Sequence, residues 1–217
     1  MKKVFEMKAF CYANYMTRRI ILIGGMPTVG KSTIAKKLSE HYGLPWMSSD
    51  QIREIMKSAI DPSVDSALNG SVDMNAKEYF EKFTVQQIAD MEYEQSVATW
   101  PGISFMINND WTWRDGFILE GVNVLPKLVA DEQTKRDNVQ AIFLTDNDES
   151  RTREVVFTRG LWGKADSYPD ELKEQEIEWV KIFDGIIKNE AEKYHQPIIE
   201  ISKSDQDIDN ILSVLAK

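Results

Sequence analysis

Residues 24–33 read Gly24-Gly25-Met26-Pro27-Thr28-Val29-Gly30-Lys31-Ser32-Thr33, and they set the architecture of the whole chain. The fixed positions of the pattern G-x-x-x-x-G-K-[ST] are all filled, by Gly25, Gly30, Lys31 and Ser32. An apolar run at 20–23 precedes this segment, and a helical pattern at 34–38 follows it. Because the pattern requires this strand–loop–helix context, the segment predicts a phosphate-binding loop at the start of an α/β fold.

The residue types in this loop suit a bound polyphosphate. Its backbone N–H groups must turn inward, and glycine allows the dihedral angles and the close approach that this requires. Lys31 would reach the β- and γ-phosphates, and Ser32 would offer its hydroxyl to Mg²⁺, so we predict ATP and Mg²⁺ as the cofactors. The predicted nucleotide-binding residues are Gly25, Met26, Pro27, Thr28, Val29, Gly30, Lys31, Ser32 and Thr33.

The composition is that of an acidic globular chain. Its 217 residues are 42% hydrophobic and 28% charged, which fits one α/β domain with a small lid. The net charge of −9 disfavours a general nucleic-acid surface, which would be basic. We expect no membrane partner, since no apolar run approaches the ~20 residues of a membrane span and residues 1–19 do not resemble a signal peptide. The single cysteine leaves no internal disulfide and favours the cytoplasm.

Strands and helices are predicted to alternate, which implies a parallel sheet with right-handed crossovers. The strands are expected at 19–23, 44–47, 117–121, 139–144 and 197–201. The helices are expected at 31–42, 50–60, 76–99, 103–109, 124–131, 146–160, 169–194 and 207–215. The segment Trp100-Pro101-Gly102 is predicted to separate two of these helices.

We predict one domain over residues 16–217, preceded by an N-terminal extension at 1–15. The extension is interpreted either as an appended segment before a functional start at Met16 or as an extra element packed on the body. Two regions of the domain are expected to serve the site. A helical insert at about 62–114 would bind the acceptor, and a mobile lid would span about 150–168.

Asp50 and Arg53 follow the second predicted strand, at the edge of the sheet where α/β proteins bind ligands. They are one helical turn apart. Asp50 could orient or deprotonate an acceptor hydroxyl, and Arg53 could hold an anionic group of the acceptor. The alternative is that Asp50 only caps the helix and Arg53 is solvated. We predict Asp50 as a catalytic residue and both residues as substrate-binding.

Glu120 and Gly121 end the third predicted strand at the same edge. The carboxylate could bind Mg²⁺ through water or position the acceptor. The alternative is a charged residue that merely ends a strand. We predict Ser32 and Glu120 as the metal-binding residues, and Glu120 and Gly121 as substrate-binding.

Basic residues recur in the predicted lid, and arginines that close over a γ-phosphate would stabilise the charge of the transition state. They are Arg151, Arg153, Arg159 and Lys164. Arg159 is the first choice because Gly160 and Gly163 can act as hinges beside it, and Arg151 is the second. The alternative is a solvated helix face with paired glutamates.

Three segments together resemble 2-phosphoglycerate kinase-like proteins, within the nucleoside-monophosphate-kinase-like class of P-loop kinases. They are residues 24–33, Ser-Ser-Asp-Gln-Ile-Arg at 48–53 and Ile-Leu-Glu-Gly-Val at 118–122. The resemblance covers residues 16–205 in outline. It implies a three-layer P-loop NTPase fold, with a five-stranded parallel sheet in the order 2-3-1-4-5, helices on both faces and a small lid. It also implies transfer of the ATP γ-phosphate to a small acceptor.

We therefore predict an ATP-dependent kinase, in which Lys31, Asp50, Arg159 and Arg151 are catalytic. Its partners would be a nucleoside triphosphate and a small acceptor that is 2-phosphoglycerate-like, a sugar or a nucleotide. Two alternatives stay open. One is a nucleotide-binding switch module without acceptor chemistry, and the other is a kinase acting on a nucleic acid or a peptide.

Overall fold

The computed structural model describes residues 18–69, 74–109, 111, 113–161, 163–202, 204 and 206–216. The predicted extension at 1–15 lies outside these residues. None of the helices in the described ranges combines the length and the hydrophobicity that crossing a bilayer requires.

Five parallel strands of the described chain form one sheet. They are β1 (Arg19–Gly25), β2 (Trp46–Ser48), β3 (Gly116–Glu120), β4 (Val139–Thr145) and β5 (Ile198–Glu200). Their order in the sheet is β2-β3-β1-β4-β5, which confirms the order implied by the resemblance. The strand that leads into the phosphate-binding loop is therefore the central one.

The helices of the described chain lie around this sheet. They are α1 (Lys31–Tyr42), α2 (Ser49–Ala59), α3 (Ala76–Lys82), α4 (Val85–Asn108), α5 (Pro126–Gln133), α6 (Glu149–Thr158), α7 (Asp170–Lys193) and α8 (Gln206–Leu215). A short 3₁₀ turn, Ala165–Ser167, lies between α6 and α7. The alternation of strands and helices agrees with the sequence pattern in type and order, apart from one helix boundary in the predicted insert.

The strand register brings three carboxyl ends to one edge of the sheet. Ile23 of β1 and Ser48 of β2 both stand opposite Glu120 of β3. Because the strands are parallel, the loop after β1, the start of α2 and the end of β3 meet at this edge. The fold therefore brings together three of the segments that the sequence identifies as candidate site segments.

The core is centred on β1, which is covered on both faces. Ile20, Ile21, Leu22 and Ile23 are all fully buried, as expected for a central parallel strand. At Gly24 a Cβ atom would lie 2.4 Å from the Phe143 ring, so only glycine allows this close packing. The first turn of the loop is therefore held against the neighbouring strand β4.

The predicted helix break at 100–102 is wrong. The chain breaks instead between α3 and α4, where Thr84 and Gln87 form a capping box that starts α4. Pro101 lies inside α4. A Cβ atom at Gly102 would lie 2.5 Å from the Met56 Sδ atom of α2, so Gly102 serves close helix packing rather than a turn. Tertiary packing outweighs the local cost of proline and glycine here.

Arg18 caps the carboxyl end of α4. Its guanidinium donates hydrogen bonds to the carbonyl oxygens of Met106, Ile107 and Asn109, at 3.0, 2.5 and 2.8 Å. The last carbonyls of a helix have no partner within the helix, so a cation placed there satisfies both their hydrogen bonding and the helix dipole.

We expect Arg18→Ala to lower the free energy of unfolding by about 1–3 kcal/mol, because partly buried carbonyl oxygens would lose their donors. Urea unfolding followed by circular dichroism measures this loss. The matched control is Arg114→Ala, which removes an exposed arginine close to the end of the same helix. An equal loss in both variants would rule out the capping role of Arg18.

Candidate active site

A cavity of about 570 Å³ opens where the strands β1, β2 and β3 end. Most of the predicted site residues line it. They are Pro27, Thr28, Gly30, Lys31, Ser32, Thr33, Asp50, Arg53, Glu120, Gly121 and Arg159. The structure therefore brings together residues that lie up to 132 positions apart, since Pro27 and Arg159 share one cavity.

The loop after β1 holds backbone conformations that side chains disfavour. Gly25 and Gly30 have φ angles of 130° and 94°, in the region where glycine alone is unstrained. A Cβ atom at Gly25 would lie 2.3 Å from the Leu144 carbonyl oxygen. Thr28 also has a positive φ, of 72°, and its hydroxyl lies 3.1 Å from the Thr152 hydroxyl of α6. The loop therefore contacts β4 on one side and α6 on the other.

The helix α1 begins directly at this loop, after Gly30. No side chain in the described residues caps it there, because glycine has none to offer. The first amides of a helix need acceptors and carry the positive end of the helix dipole. This end of α1 therefore suits an anion.

Lys31 is buried beneath the loop and is only 8% exposed. Its Nζ atom donates a hydrogen bond to the Met26 carbonyl oxygen, at 2.7 Å, so the ammonium folds back across the loop. Burial lowers the pKa of Lys31 to about 8, although the nearby carboxylates of Glu120, Asp50 and Glu92 oppose this shift. Because so little water surrounds this ammonium, a phosphate anion nearby would strongly stabilise its charged form.

Glu120 lies at the end of β3 and is almost fully buried. Its Oε1 atom accepts a hydrogen bond from the Ser32 hydroxyl, at 3.1 Å. Burial raises the pKa of Glu120, while Lys31 and the Ser32 hydroxyl act in the opposite direction. The next residue, Gly121, has a φ of 152°, and a Cβ atom there would lie 1.8 Å from the Ser49 hydroxyl oxygen. Glycine therefore lets α2 approach the end of β3.

Asp50 lies in the first turn of α2, whose N-cap is Ser48 rather than Asp50. The alternative reading of Asp50 as the cap residue is therefore wrong. Its Oδ1 atom accepts a hydrogen bond from the Asn123 side-chain amide, at 3.3 Å, and lies 3.4 Å from Arg53 Nη1. The carboxylate is thus oriented from two sides while it faces the cavity.

Glu92 and Asn123 belong to the site although the sequence pattern did not indicate them. Glu92, on α4, lines the cavity and lies 3.8 Å from Arg53 Nη1. Burial raises the pKa of its carboxyl, and the Arg53 guanidinium opposes this. Asn123 is fully buried and also donates to the Ser49 hydroxyl, at 2.9 Å. Neither lies in a recognisable motif, and the only available signal was the position of Asn123 just after Glu120-Gly121.

The two predicted catalytic arginines are separated by the structure. Arg159, at the end of α6, lines the cavity. Arg151 does not line it. Its guanidinium pairs with Asp146 and donates to the carbonyl oxygens of Ile201 and Ser202, near the end of β5. These partners hold Arg151 beside β5, and its closing over the phosphate stays a prediction.

Arg153 of the same predicted basic set is also occupied elsewhere. It pairs with Glu174 and Glu149, as the alternative of a paired surface face proposed. Apart from Arg159, the residues of α6, α7 and the segment between them that line the cavity are apolar. Val155, Leu161 and Trp179 line it there, with Val122 from the loop after β3. Trp179 stacks on Phe183 with ring centroids 5.7 Å apart, which anchors this wall in the core.

The chain is similar in sequence to curated 2-phosphoglycerate kinases. It is 26% identical over 199 residues to the one from Methanocaldococcus jannaschii, covering 91% of this chain and 63% of that protein. It is 30% identical over 199 residues to the one from Pyrococcus horikoshii, covering 89% of this chain and 62% of that protein. The resemblance inferred from the motifs is thereby confirmed. The chain spans less than two thirds of the length of these relatives.

The fold is shared with solved structures. The structure named TT1252, from Thermus thermophilus, matches with a TM-score of 0.54 and 16% sequence identity, over 92% of this chain and 96% of that one. At this identity the match concerns the fold alone. No protein-family model matches the chain.

Proposed function

We propose that this chain is an ATP-dependent phosphotransferase that moves the γ-phosphate to a hydroxyl of a small-molecule acceptor. The observation that carries the proposal is the convergence of Lys31, Asp50 and Arg159 in one cavity beside the phosphate-binding loop. The names of the similar proteins support the same reaction type. Binding of a nucleotide alone would not require an oriented carboxylate and an arginine on the far side of that cavity.

Each residue has a distinct proposed role. The backbone of the loop and the start of α1 bind the phosphates, and Lys31 exchanges its bond to the Met26 carbonyl for the β- and γ-phosphates. Asp50 accepts the proton of the acceptor hydroxyl, and Arg159 stabilises charge on the transferring group. The hydroxyl oxygen forms the new bond to the γ-phosphorus, the bond from that phosphorus to the β–γ bridging oxygen breaks, and ADP leaves.

Ser32 and Glu120 fit a Mg²⁺ ion. Their two oxygen atoms, 3.1 Å apart, are of the type that Mg²⁺ prefers, and two protein ligands suffice for an ion that keeps several waters. Burial raises the pKa of Glu120, so a cation nearby would favour its ionised form. When bound, Mg²⁺ would shield the negative charge of the phosphates.

In this proposal, the acceptor binds between the predicted insert and the predicted lid, next to the phosphate-binding loop. We keep the predicted single domain at 16–217, with the acceptor insert at about 62–114 and the lid at about 150–168. Glu92 of the insert and Arg159 of the lid both line the cavity. The names of the relatives favour a 2-phosphoglycerate-like acceptor over a sugar or a nucleotide. The cytoplasmic location and the absence of a nucleic-acid partner stay predictions.

The proposal is tested by thermal unfolding with ATP and Mg²⁺, followed by an assay of ADP formation over a panel of acceptors. ATP with Mg²⁺ at 100 times its Kd should add about 2.7 kcal/mol to the free energy of unfolding. ADP formation should then depend on a hydroxylated acceptor. Stabilisation by ATP without ADP formation from any acceptor would favour the switch module instead.

A further inference from the structure

Arg159 reaches the cavity from the end of α6, and no side chain holds it there. The residue is exposed, and among the residues that the structure describes its guanidinium makes no hydrogen bond or ion pair. A long side chain of this kind keeps much of its rotamer freedom until a partner holds it. The region that the guanidinium can reach is therefore set by the backbone that carries it.

The backbone on both sides of Arg159 is fixed by hydrogen bonds. Its N–H group donates to the Val155 carbonyl oxygen at 2.9 Å, which closes the last turn of α6. Gly160 follows with a φ of 77°, a conformation that ends helices and favours glycine. The Arg159 carbonyl oxygen then accepts from the Ala165 N–H at 3.2 Å, so the chain after α6 turns back toward the helix end.

The Tyr168 hydroxyl packs against this turn. A Cβ atom at Gly160 would lie 2.7 Å from the hydroxyl oxygen, so glycine is required at the contact. The hydroxyl donates a hydrogen bond to Glu176 Oε1 of α7, at 2.7 Å. Both side chains are buried, and Glu176 is fully so. One hydrogen bond thus joins the turn after α6 to the neighbouring helix.

The bond between Tyr168 and Glu176 links two parts of the cavity wall. Leu161 and Trp179 line the cavity, and Trp179 follows Glu176 by about one turn of α7. Burial raises the pKa of Tyr168, as does the bond to Glu176, while the backbone of Leu161 acts in the opposite direction. The hydroxyl is therefore protonated and able to donate at neutral pH. Without it, the buried carboxylate would lose a partner that water does not replace.

We infer that Tyr168 is a positioning residue for phosphoryl transfer, and that its bond to Glu176 holds the turn from which Arg159 reaches the cavity. This inference rests on the proposed function, in which Arg159 stabilises charge on the transferring group. Tyr168 does not itself line the cavity, so it acts through Arg159 and not on the substrate. A misplacement of about 1 Å can cost about 10²-fold in rate, even when its cause is remote from the reacting atoms.

Tyr168→Phe tests this role because it removes one hydroxyl and keeps the ring. We expect kcat for ADP formation to fall about tenfold or more, with 2-phosphoglycerate as the first acceptor tried. The KM for ATP should stay within about twofold, because Arg159 is proposed to act in the transition state. An unchanged kcat in a folded variant would overturn the inference.

A double-mutant cycle with Arg159→Ala separates positioning from general loss of stability. In the chain that lacks the Arg159 guanidinium, Tyr168→Phe should lower kcat by less than about twofold, since the group that it positions is absent. Losses that multiply fully would show that Tyr168 affects the reaction by another route, and the inference would be wrong.

The matched control is Tyr93→Phe. The Tyr93 hydroxyl also donates to a glutamate of α7, to Glu190 Oε1 at 2.6 Å, and Tyr93 does not line the cavity. This variant loses a bond of the same type to the same helix, so it should also lower the free energy of unfolding. Its kcat should stay within about twofold of the wild type. An equal loss of kcat in both variants would contradict a specific role of Tyr168.

Glu176→Gln tests the same bond from the other side. Its amide oxygen still accepts a hydrogen bond but is a weaker acceptor than a carboxylate, so kcat should fall in the same direction by a smaller factor. Should Tyr168→Phe fail to fold, an unchanged kcat in Glu176→Gln would overturn the inference. A loss of kcat that disappears in the Arg159→Ala chain would support it.

Failure of the inference is distinguishable from failure of the proposed function. If the wild type forms no ADP with any acceptor of the panel, the proposed function is wrong. Amide hydrogen exchange at Leu161 and Ala165 tests the hold on the turn without any turnover. Exchange there should be faster in Tyr168→Phe than in the wild type and unchanged in Tyr93→Phe. Equal exchange in Tyr168→Phe and the wild type would overturn the inference alone.

Discussion

Replacing Lys31 with alanine is expected to lower kcat for phosphoryl transfer by about 10²–10³-fold or more, because a buried, preorganised cation is lost from the phosphates. The ammonium lies under the loop and bonds to the Met26 carbonyl, so it needs little reorganisation to reach a bound phosphate. Initial rates of ADP formation measure the loss. Lys36→Ala, an exposed lysine on the same helix, should leave the rate unchanged and serves as the control.

The fold of the Lys31→Ala variant should survive, since burial of this cation is unfavourable without a ligand. The folded-state pKa of about 8 lies below the ordinary value of 10.5, so the folded chain binds fewer protons than the unfolded chain between these values. Stability of the nucleotide-free wild type should therefore rise with pH across this window, and the rise should be absent in the variant. A variant that unfolds at neutral pH, or that keeps normal turnover, would contradict the role of Lys31.

Asp50→Asn is expected to lower kcat by about 10²–10⁴-fold, the usual contribution of a positioned acid or base, while nucleotide affinity is kept. The amide keeps the shape of the side chain but cannot accept the hydroxyl proton. The contacts with Asn123 and Arg53 orient the native carboxylate, and Asn123 is itself fully buried. ADP formation under saturating acceptor gives kcat.

The control for this prediction is Asp90→Asn, at an exposed position of α4 outside the cavity. It should leave both turnover and ATP binding unchanged. ATP affinity is followed in parallel by thermal unfolding with Mg²⁺. Equal turnover in Asp50→Asn and the wild type would remove Asp50 from the reaction and favour a module that binds a nucleotide without acceptor chemistry.

The strands and the phosphate-binding loop could be predicted because their signals are local. The apolar run at 20–23 has no polar face, which is what a strand covered on both sides requires. The glycines at 25 and 30 mark backbone angles that other residues disfavour. The helix boundary in the insert was missed because Pro101 and Gly102 break helices in isolation, while packing of Gly102 against α2 holds α4 intact.

The lid arginines could be predicted as a set but not individually. Arg151 and Arg159 both lie on or beside α6, and nothing in their spacing tells which one faces the cavity. Asp146, which precedes α6, and the carbonyl oxygens after β5 hold Arg151 beside β5, and these carbonyls come from a distant part of the chain. Glu92 was missed for a related reason, since one carboxylate on a long helix has no local signature.

The sequence by itself determined the phosphate-binding loop on one side of the cavity. Gly25, Gly30, Lys31 and Ser32 are contiguous, and backbone geometry within so short a segment depends on the residues themselves. Only the tertiary structure decided the surroundings of Asp50, where Arg53, Glu92 and Asn123 come from separate elements. Charge balance there depends on distances across the fold, and those distances follow from packing and strand register rather than from any local pattern.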